Sequence, residues 1–196
     1  MAFGLMFWAF PVFSPAADWE LKLDPQSTTI SFTLGATFHT MEGTARLARS
    51  DIRFDPETGA VTGRVEVKTD SANTQNRSRD KKMHREILET QRYPEIVLLP
   101  HRFSGRFNPS GKSHLQLAAD LKIHGGVHAV ELEVHLYVKD GKLTGTASFP
   151  VPYVDWGMKD PSAFILRVRK VVHVELDLAG TVSLSSEAPA GPGSLR

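Results

Sequence analysis

Five stretches of this chain alternate apolar and polar residues with a period of two, and that period decides the fold class. Ile30, Phe32 and Leu34 alternate with Ser31 and Thr33. Val61, Val65 and Val67 alternate with Thr62, Arg64, Glu66 and Lys68. Leu115, Leu117, Ala119, Leu121 and Ile123 alternate with Gln116, Asp120 and Lys122. Val130, Leu132, Val134, Leu136 and Val138 alternate with Glu131, Glu133, His135 and Lys139. Val172, Val174, Leu176 and Leu178 alternate with His173, Glu175 and Asp177. Such strands have one dry face and one wet face. A parallel sheet covered by helices would read as continuous apolar runs instead.

Turn chemistry joins the strands into antiparallel hairpins. Asp140-Gly141 suits a two-residue turn with positive φ, and His124-Gly125-Gly126 separates another pair of runs. Asp55-Pro56-Glu57-Thr58-Gly59 and Asn108-Pro109-Ser110-Gly111 are further breaks, with Pro fixing φ early and Gly tolerating positive φ late. One segment differs. Residues 76–89, NRSRDKKMHREILE, have helical composition, and Met83, Ile87 and Leu88 form an apolar stripe before Pro94 bars continuation. About eight strands, each with one apolar face, leave a two-sheet sandwich or a closed barrel. The chain is read as all-β with one short helix, in a single domain over residues 18–182.

The two ends read differently. Residues 3–13, FGLMFWAFPVF, followed by Ser14-Pro15-Ala16-Ala17, resemble a secretory signal peptide, although Lys22 is the first basic residue. That places the protein in the periplasm or outside the cell, with residues 1–17 as the export segment. Residues 183–196 are small, polar and rich in Pro and Gly, and are read as a disordered tail. A net charge of +1 argues against a nucleic-acid partner. The absence of cysteine excludes disulfides, thiolate catalysis and cysteine zinc sites.

Several motifs, taken in order, resemble the YceI-like proteins. Trp19-Glu20-Leu21-Lys22-Leu23-Asp24-Pro25 with Ile30-Ser31-Phe32 is similar to that family's opening. Gly43 and Ile52-Arg53-Phe54-Asp55 fit the next block. Asn73-Thr74, Arg79-Asp80, Met83-His84 and Tyr93-Pro94-Glu95-Ile96 resemble its helix and following strand. Ala119-Asp120-Leu121-Lys122-Ile123-His124-Gly125 resembles a later hairpin, and Asp155-Trp156-Gly157-Met158 an aromatic-Gly motif. The likeness spans residues 19–181. It departs at Ala119, where the family usually has Gly, and at Gly126-Val127, where one extra residue lengthens the turn. The resemblance implies an extended eight-stranded antiparallel lipocalin-like β-barrel. It also implies a hollow interior that takes a polyisoprenoid, an isoprenoid quinone or another lipid, in exported proteins without shared catalytic apparatus.

The candidate ligand-binding residues are mostly the apolar halves of the strands. They are Phe32, Leu34, Val65, Val67, Leu117 and Leu121, with Leu132, Leu136, Phe149, Val172 and Val174. Phe38 and Met41 follow the first of these strands. Tyr153, Trp156 and Met158 lie on a loop able to close a mouth or to plug the core, and Met83, Ile87 and Leu88 on the helix either cap the cavity or simply pack. Burying ten carbons of a chain at ~0.8 kcal/mol each gains about 8 kcal/mol, which corresponds to roughly micromolar binding. A barrel filled by its own side chains would be a structural module instead. A small exported hydrolase or isomerase on the same scaffold is the other alternative. No G-x-S-x-G elbow supports it, and Ser104 with His101 or His114 is no more than proximity in sequence. The protein is therefore read as a binding protein without enzymatic activity or cofactor.

No metal site is expected, because zinc needs three or four converging ligands. His128 and His135 are an odd number of residues apart in one strand, which puts them on opposite faces and about 20 Å from each other. Arg77, Arg79, Lys81, Lys82 and Arg85 make the helix basic. They read as a solvated face paired with Asp80, Glu86 and Glu89, or as an attraction to anionic headgroups. Peripheral membrane contact and a homodimer are both compatible with the sequence.

Overall fold

A computed structural model describes residues 18–37, 39–162 and 167–185. Residues 1–17, read above as an export segment, Phe38, and residues 186–196 of the expected tail lie outside the described residues. The described chain forms ten strands. They are β1 (Trp19–Leu23), β2 (Thr29–Gly35), β3 (Thr40–Ala45), β4 (Leu47–Phe54) and β5 (Val61–Lys68), then β6 (Glu95–Gly105), β7 (Lys112–Ile123), β8 (Gly126–Lys139), β9 (Lys142–Val151) and β10 (Val172–Leu184). All pairings are antiparallel, in the order β1-β4-β5-β6-β7-β8-β9-β10, and β10 pairs back to β1. That closure selects the barrel over the sandwich. β10 runs two residues beyond the boundary expected for the tail, with Ser183 and Leu184 opposite Glu20 and Trp19.

Ten strands make eight staves because two staves are interrupted. One edge of β10 is shared by β1, through Gly180–Leu184, and β2, through His173–Asp177. Between them the chain steps out of line at Asp24–Thr28. Its carboxylate, Asp24, accepts from the Gln26 N–H at 2.9 Å and the Ser27 hydroxyl at 2.6 Å, so the step is a local Asx turn. The Asp24 N–H still donates to the Ala179 carbonyl at 2.8 Å, which keeps the stave seated on β10. β3 and β4 likewise continue one another around Arg46, pairing with β2 and β1 respectively.

The turns gather at the two ends. One end carries residues 55–60, 106–111 and 140–141. Asp140 and Gly141 have φ of 52° and 72°, the geometry expected of Asp-Gly. Gly141→Ala is expected to lower stability by about 1 kcal/mol, measured by urea denaturation, because alanine resists positive φ. An unchanged midpoint would mean that this turn can relax. The opposite end carries the His124-Gly125 turn, the segment between β5 and β6, and the connection from β9 to β10. His124 and Gly125 alone form their turn, with φ of 50° and 78°, and Gly126 pairs with Ile123 as the first residue of β8. The lengthened turn expected there is therefore corrected to two residues.

The helix is shorter and less regular than its composition suggests. α1 covers Arg77–Lys82, with the Asn76 side chain accepting from the Arg79 N–H as an N-cap. Met83–Ile87 then widen into a π-helical turn, in which the Leu88 N–H donates to the Met83 carbonyl five residues back at 2.9 Å. In an α-helix a spacing of five lies about 140° off the starting face. The wider turn brings Leu88 back over Met83, so Met83, Ile87 and Leu88 share one half-buried stripe.

Candidate functional site

Inward side chains of the staves form one continuous core. Its turn-rich end is plugged by four aromatic rings. Phe54 lies 4.9 Å from Phe107 and 6.0 Å from Phe103, both edge to face, and Trp19 packs on Phe54 and Phe107 at 6.5 and 5.5 Å. Above this floor is a cavity of about 110 Å³ whose lining side chains are all apolar. Leu21, Leu23, Ile52, Val61 and Val65 line it from one side. Leu98, Pro100, Leu115, Leu117, Leu132, Val134 and Leu136 continue the wall, and Ala147, Leu176 and Leu178 close it. Along β6 the lining runs from Leu98 to Phe103, about 17 Å at ~3.3 Å per residue. A hole of ~150 Å³ accepts a benzene ring, so this hollow admits a few carbons rather than a whole tail. At that volume the hollow falls short of a whole polyprenyl chain.

The cavity sits behind the least regular part of the wall. β5 and β6 pair from Val65–Leu98 to Lys68–Glu95, and pairing resumes at Ala60–Arg102. Pro100 has no N–H to give to a ladder, and the β6–β7 register shifts between Pro100 and Arg102. Gly63, opposite this stretch, has φ 112°. A Cβ there would stand 1.9 Å from the Asp51 carbonyl oxygen, so only glycine fits.

Of the residues expected to bind ligand, Val65, Leu117, Leu132 and Leu136 line the cavity. Leu121, Phe149, Tyr153 and Met158 are buried instead in the core at the helix-bearing end. Phe32, Leu34, Met41, Val67, Met83, Ile87, Leu88, Trp156, Val172 and Val174 are half-buried. Phe32 lays its ring against Gly43, where a Cβ would come within 2.2 Å of it. Of the two roles expected for the loop of Tyr153, Trp156 and Met158, its packing is that of a compact plug. The Met158 N–H donates to the Tyr153 carbonyl at 3.0 Å, and the Tyr153 hydroxyl donates to the Arg169 carbonyl at 3.1 Å. Burial, with Asp160 adding to it, pushes the Tyr153 phenol up to about 12. Trp156 stacks on His128 at 4.2 Å with the rings 6° apart.

Among the lining residues that sequence reasoning missed are Leu21, Leu23, Phe54, Phe103 and Phe107. The signal for the first two was the Leu-Lys-Leu alternation of β1. β6 gave none, because its bulge breaks the period.

Two of the five basic residues of the helix, Arg79 and Arg85, are engaged with their own surroundings. Arg79 donates to the Thr74 hydroxyl and carbonyl, both at 2.8 Å, and Asp80 accepts from the Thr74 N–H at 2.9 Å. Arg85 bonds Glu86, and Lys159 reaches the same carboxylate at 2.9 Å, tying the loop to the π turn. Arg85 first, then Lys159, hold the Glu86 carboxyl down at about 2. Two imidazole nitrogens near this end, His84 Nδ1 and His128 Nε2, are buried and lack a hydrogen-bond partner.

Spacing within one strand gave no metal ligands, but pairing across β7 and β8 brings His114, Glu133 and His135 together on the outer face.

No curated protein matches the sequence. Among solved structures, BcnA of Burkholderia cenocepacia superposes with a TM-score of 0.66 at 14% identity, covering 82% of this chain and 99% of that one. A polyisoprenoid-binding domain of Saccharophagus degradans, implicated in plant cell wall breakdown, gives 0.65 at 13% identity, covering 83% and 98%. At such identities the likeness speaks for the barrel alone. The sequence itself matches the model of the YceI-like domain over residues 21–180, most of the barrel, and this chain belongs to that family.

Proposed function

We propose that this protein holds the hydrocarbon tail of an isoprenoid or other lipid-like amphiphile inside its barrel, acting as a carrier or store rather than as a catalyst. The observation that carries this reading is the cavity. It lies in a closed barrel and is walled by apolar side chains throughout. Such a wall binds by desolvation and offers nothing to orient a reacting centre. A longer tail needs more room than 110 Å³. Rotation of the lining leucines and movement of the half-buried π turn and Trp156 would supply it. The polyisoprenoid-binding domain from Saccharophagus supports the ligand class by analogy. The partnerless nitrogens of His84 and His128 suit a polar headgroup at the helix-bearing end. Residues 1–17 support export, with removal of that segment.

Native mass spectrometry of the full chain expressed with export, followed by organic extraction, tests the reading. The expected result is a mature chain beginning near Asp18, carrying a lipid-sized adduct or taking up added C20 polyprenyl alcohol with a roughly micromolar dissociation constant. A protein that carries nothing and ignores added polyprenol would leave the barrel a structural module.

A further inference from the structure

The outer wall of the barrel carries a cluster that the interior does not explain. The β7–β8 register sets His114 directly opposite His135, and Gln116 opposite Glu133. Ser113, Leu115, Val134 and Leu136 are buried, so the alternating residues His114, Glu133 and His135 point to solvent. The two imidazoles stack with centroids 4.3 Å apart and planes 16° apart. Each Nε2 lies 3.1 Å from the same atom, Glu133 Oε1. All three potential ligand atoms fall within 4.8 Å of one another.

We propose that His114, His135 and Glu133 bind a divalent transition metal of the zinc type. Zinc–nitrogen and zinc–oxygen bonds of ~2.0–2.2 Å in a tetrahedron put neighbouring ligand atoms about 3.4 Å apart. The two observed His–Glu separations of 3.1 Å need to open by a few tenths of an ångström, and the stacked rings need to splay so that both Nε2 lone pairs converge on one ion. Two imidazoles with one carboxylate suit zinc, nickel or copper and disfavour the all-oxygen cations magnesium and calcium. Metal binding takes each ring neutral, with its proton on Nδ1, in place of the Nε2–H···Oε1 contact. Three protein ligands leave a coordination position open to solvent. The ligand atoms are held by a paired stretch of two long strands, so the site is built on rigid backbone.

The test is calorimetric titration of the full, chelator-stripped chain with zinc chloride, with cobalt absorption reporting the geometry. One zinc per chain is expected at micromolar affinity, with tetrahedral cobalt bands and no heat from magnesium. His114→Gln and His135→Gln should each weaken binding by about tenfold or more, the double variant should lose it, and Glu133→Gln should weaken it too. His101→Gln, an exposed imidazole elsewhere, should change nothing. Because the altered side chains are exposed, the variants should melt like the parent without metal, and zinc should raise the melting temperature of the parent and of His101→Gln but not of the double variant. Retention of stoichiometric zinc by the double variant, or no uptake by the parent at millimolar zinc, would overturn the proposal.

Discussion

Replacing Phe54 by alanine is expected to cost about 3–5 kcal/mol of stability, the range for deleting a well-packed core phenylalanine. Phe54 is 7% exposed and touches Trp19, Phe103 and Phe107. Trp19 belongs to β1, the strand that closes the barrel, while Phe103 lies on β6 and Phe107 in the turn after it. The ring therefore ties together segments that meet late along the sequence. Its loss would leave a void joined to the existing cavity, and the ladders on either side limit how far the walls can collapse into it. Edge-to-face pairs add ~0.5–1.5 kcal/mol each beyond the area buried. With a urea dependence of about 2 kcal/mol per molar, the unfolding midpoint should fall by roughly 2 M. A loss below about 1 kcal/mol, judged against that range, would mean that the aromatic floor does not hold this end of the barrel shut.

Strands β7, β8 and β10 were legible because alternation is a local property of half-buried strands, and their apolar positions do face inward, as with Leu132 at 1% exposure. Closure was less so. It depends on Trp19 meeting Leu184 across nearly the whole chain, and no local pattern encodes that. Two irregularities departed from regular periods. The bulge beside Pro100 broke the period of β6, which concealed Phe103, and the π turn gave the stripe of Met83, Ile87 and Leu88 a spacing that α-helical geometry does not explain. The position of the cavity depends on which inward positions carry small or large side chains across eight staves, a sum that no single strand contains. The His114–His135 pair shows how much one residue matters. Read as His124-Gly125-Gly126, the turn shifts the register by one and places His114 against a buried position. Read as His124-Gly125, it sets the two imidazoles side by side.

Ala147→Leu should separate a hollow barrel from a filled one by its effect on ligand uptake. Ala147 is 4% exposed on β9, between Val134 of β8 and Leu176 of β10, and all three line the cavity. Leucine projects three further carbons into a space of about 110 Å³. Each ligand carbon that it displaces forfeits ~0.8 kcal/mol, so about 2.4 kcal/mol is lost and binding weakens roughly 50-fold. The effect on stability is a separate readout. The added side chain either fills the hollow or overpacks it, and overpacking costs about 1–3 kcal/mol. The neighbouring Thr146 faces outward on the same strand, so Thr146→Leu changes the same stave without touching the interior. Titration of both variants with a C20 polyprenyl alcohol, alongside thermal melts, should show weakened binding for Ala147→Leu alone, with both proteins cooperatively folded. Equal affinity in the two variants would place the hydrocarbon somewhere other than this cavity, because three carbons inserted among its walls cannot leave a chain bound there undisturbed.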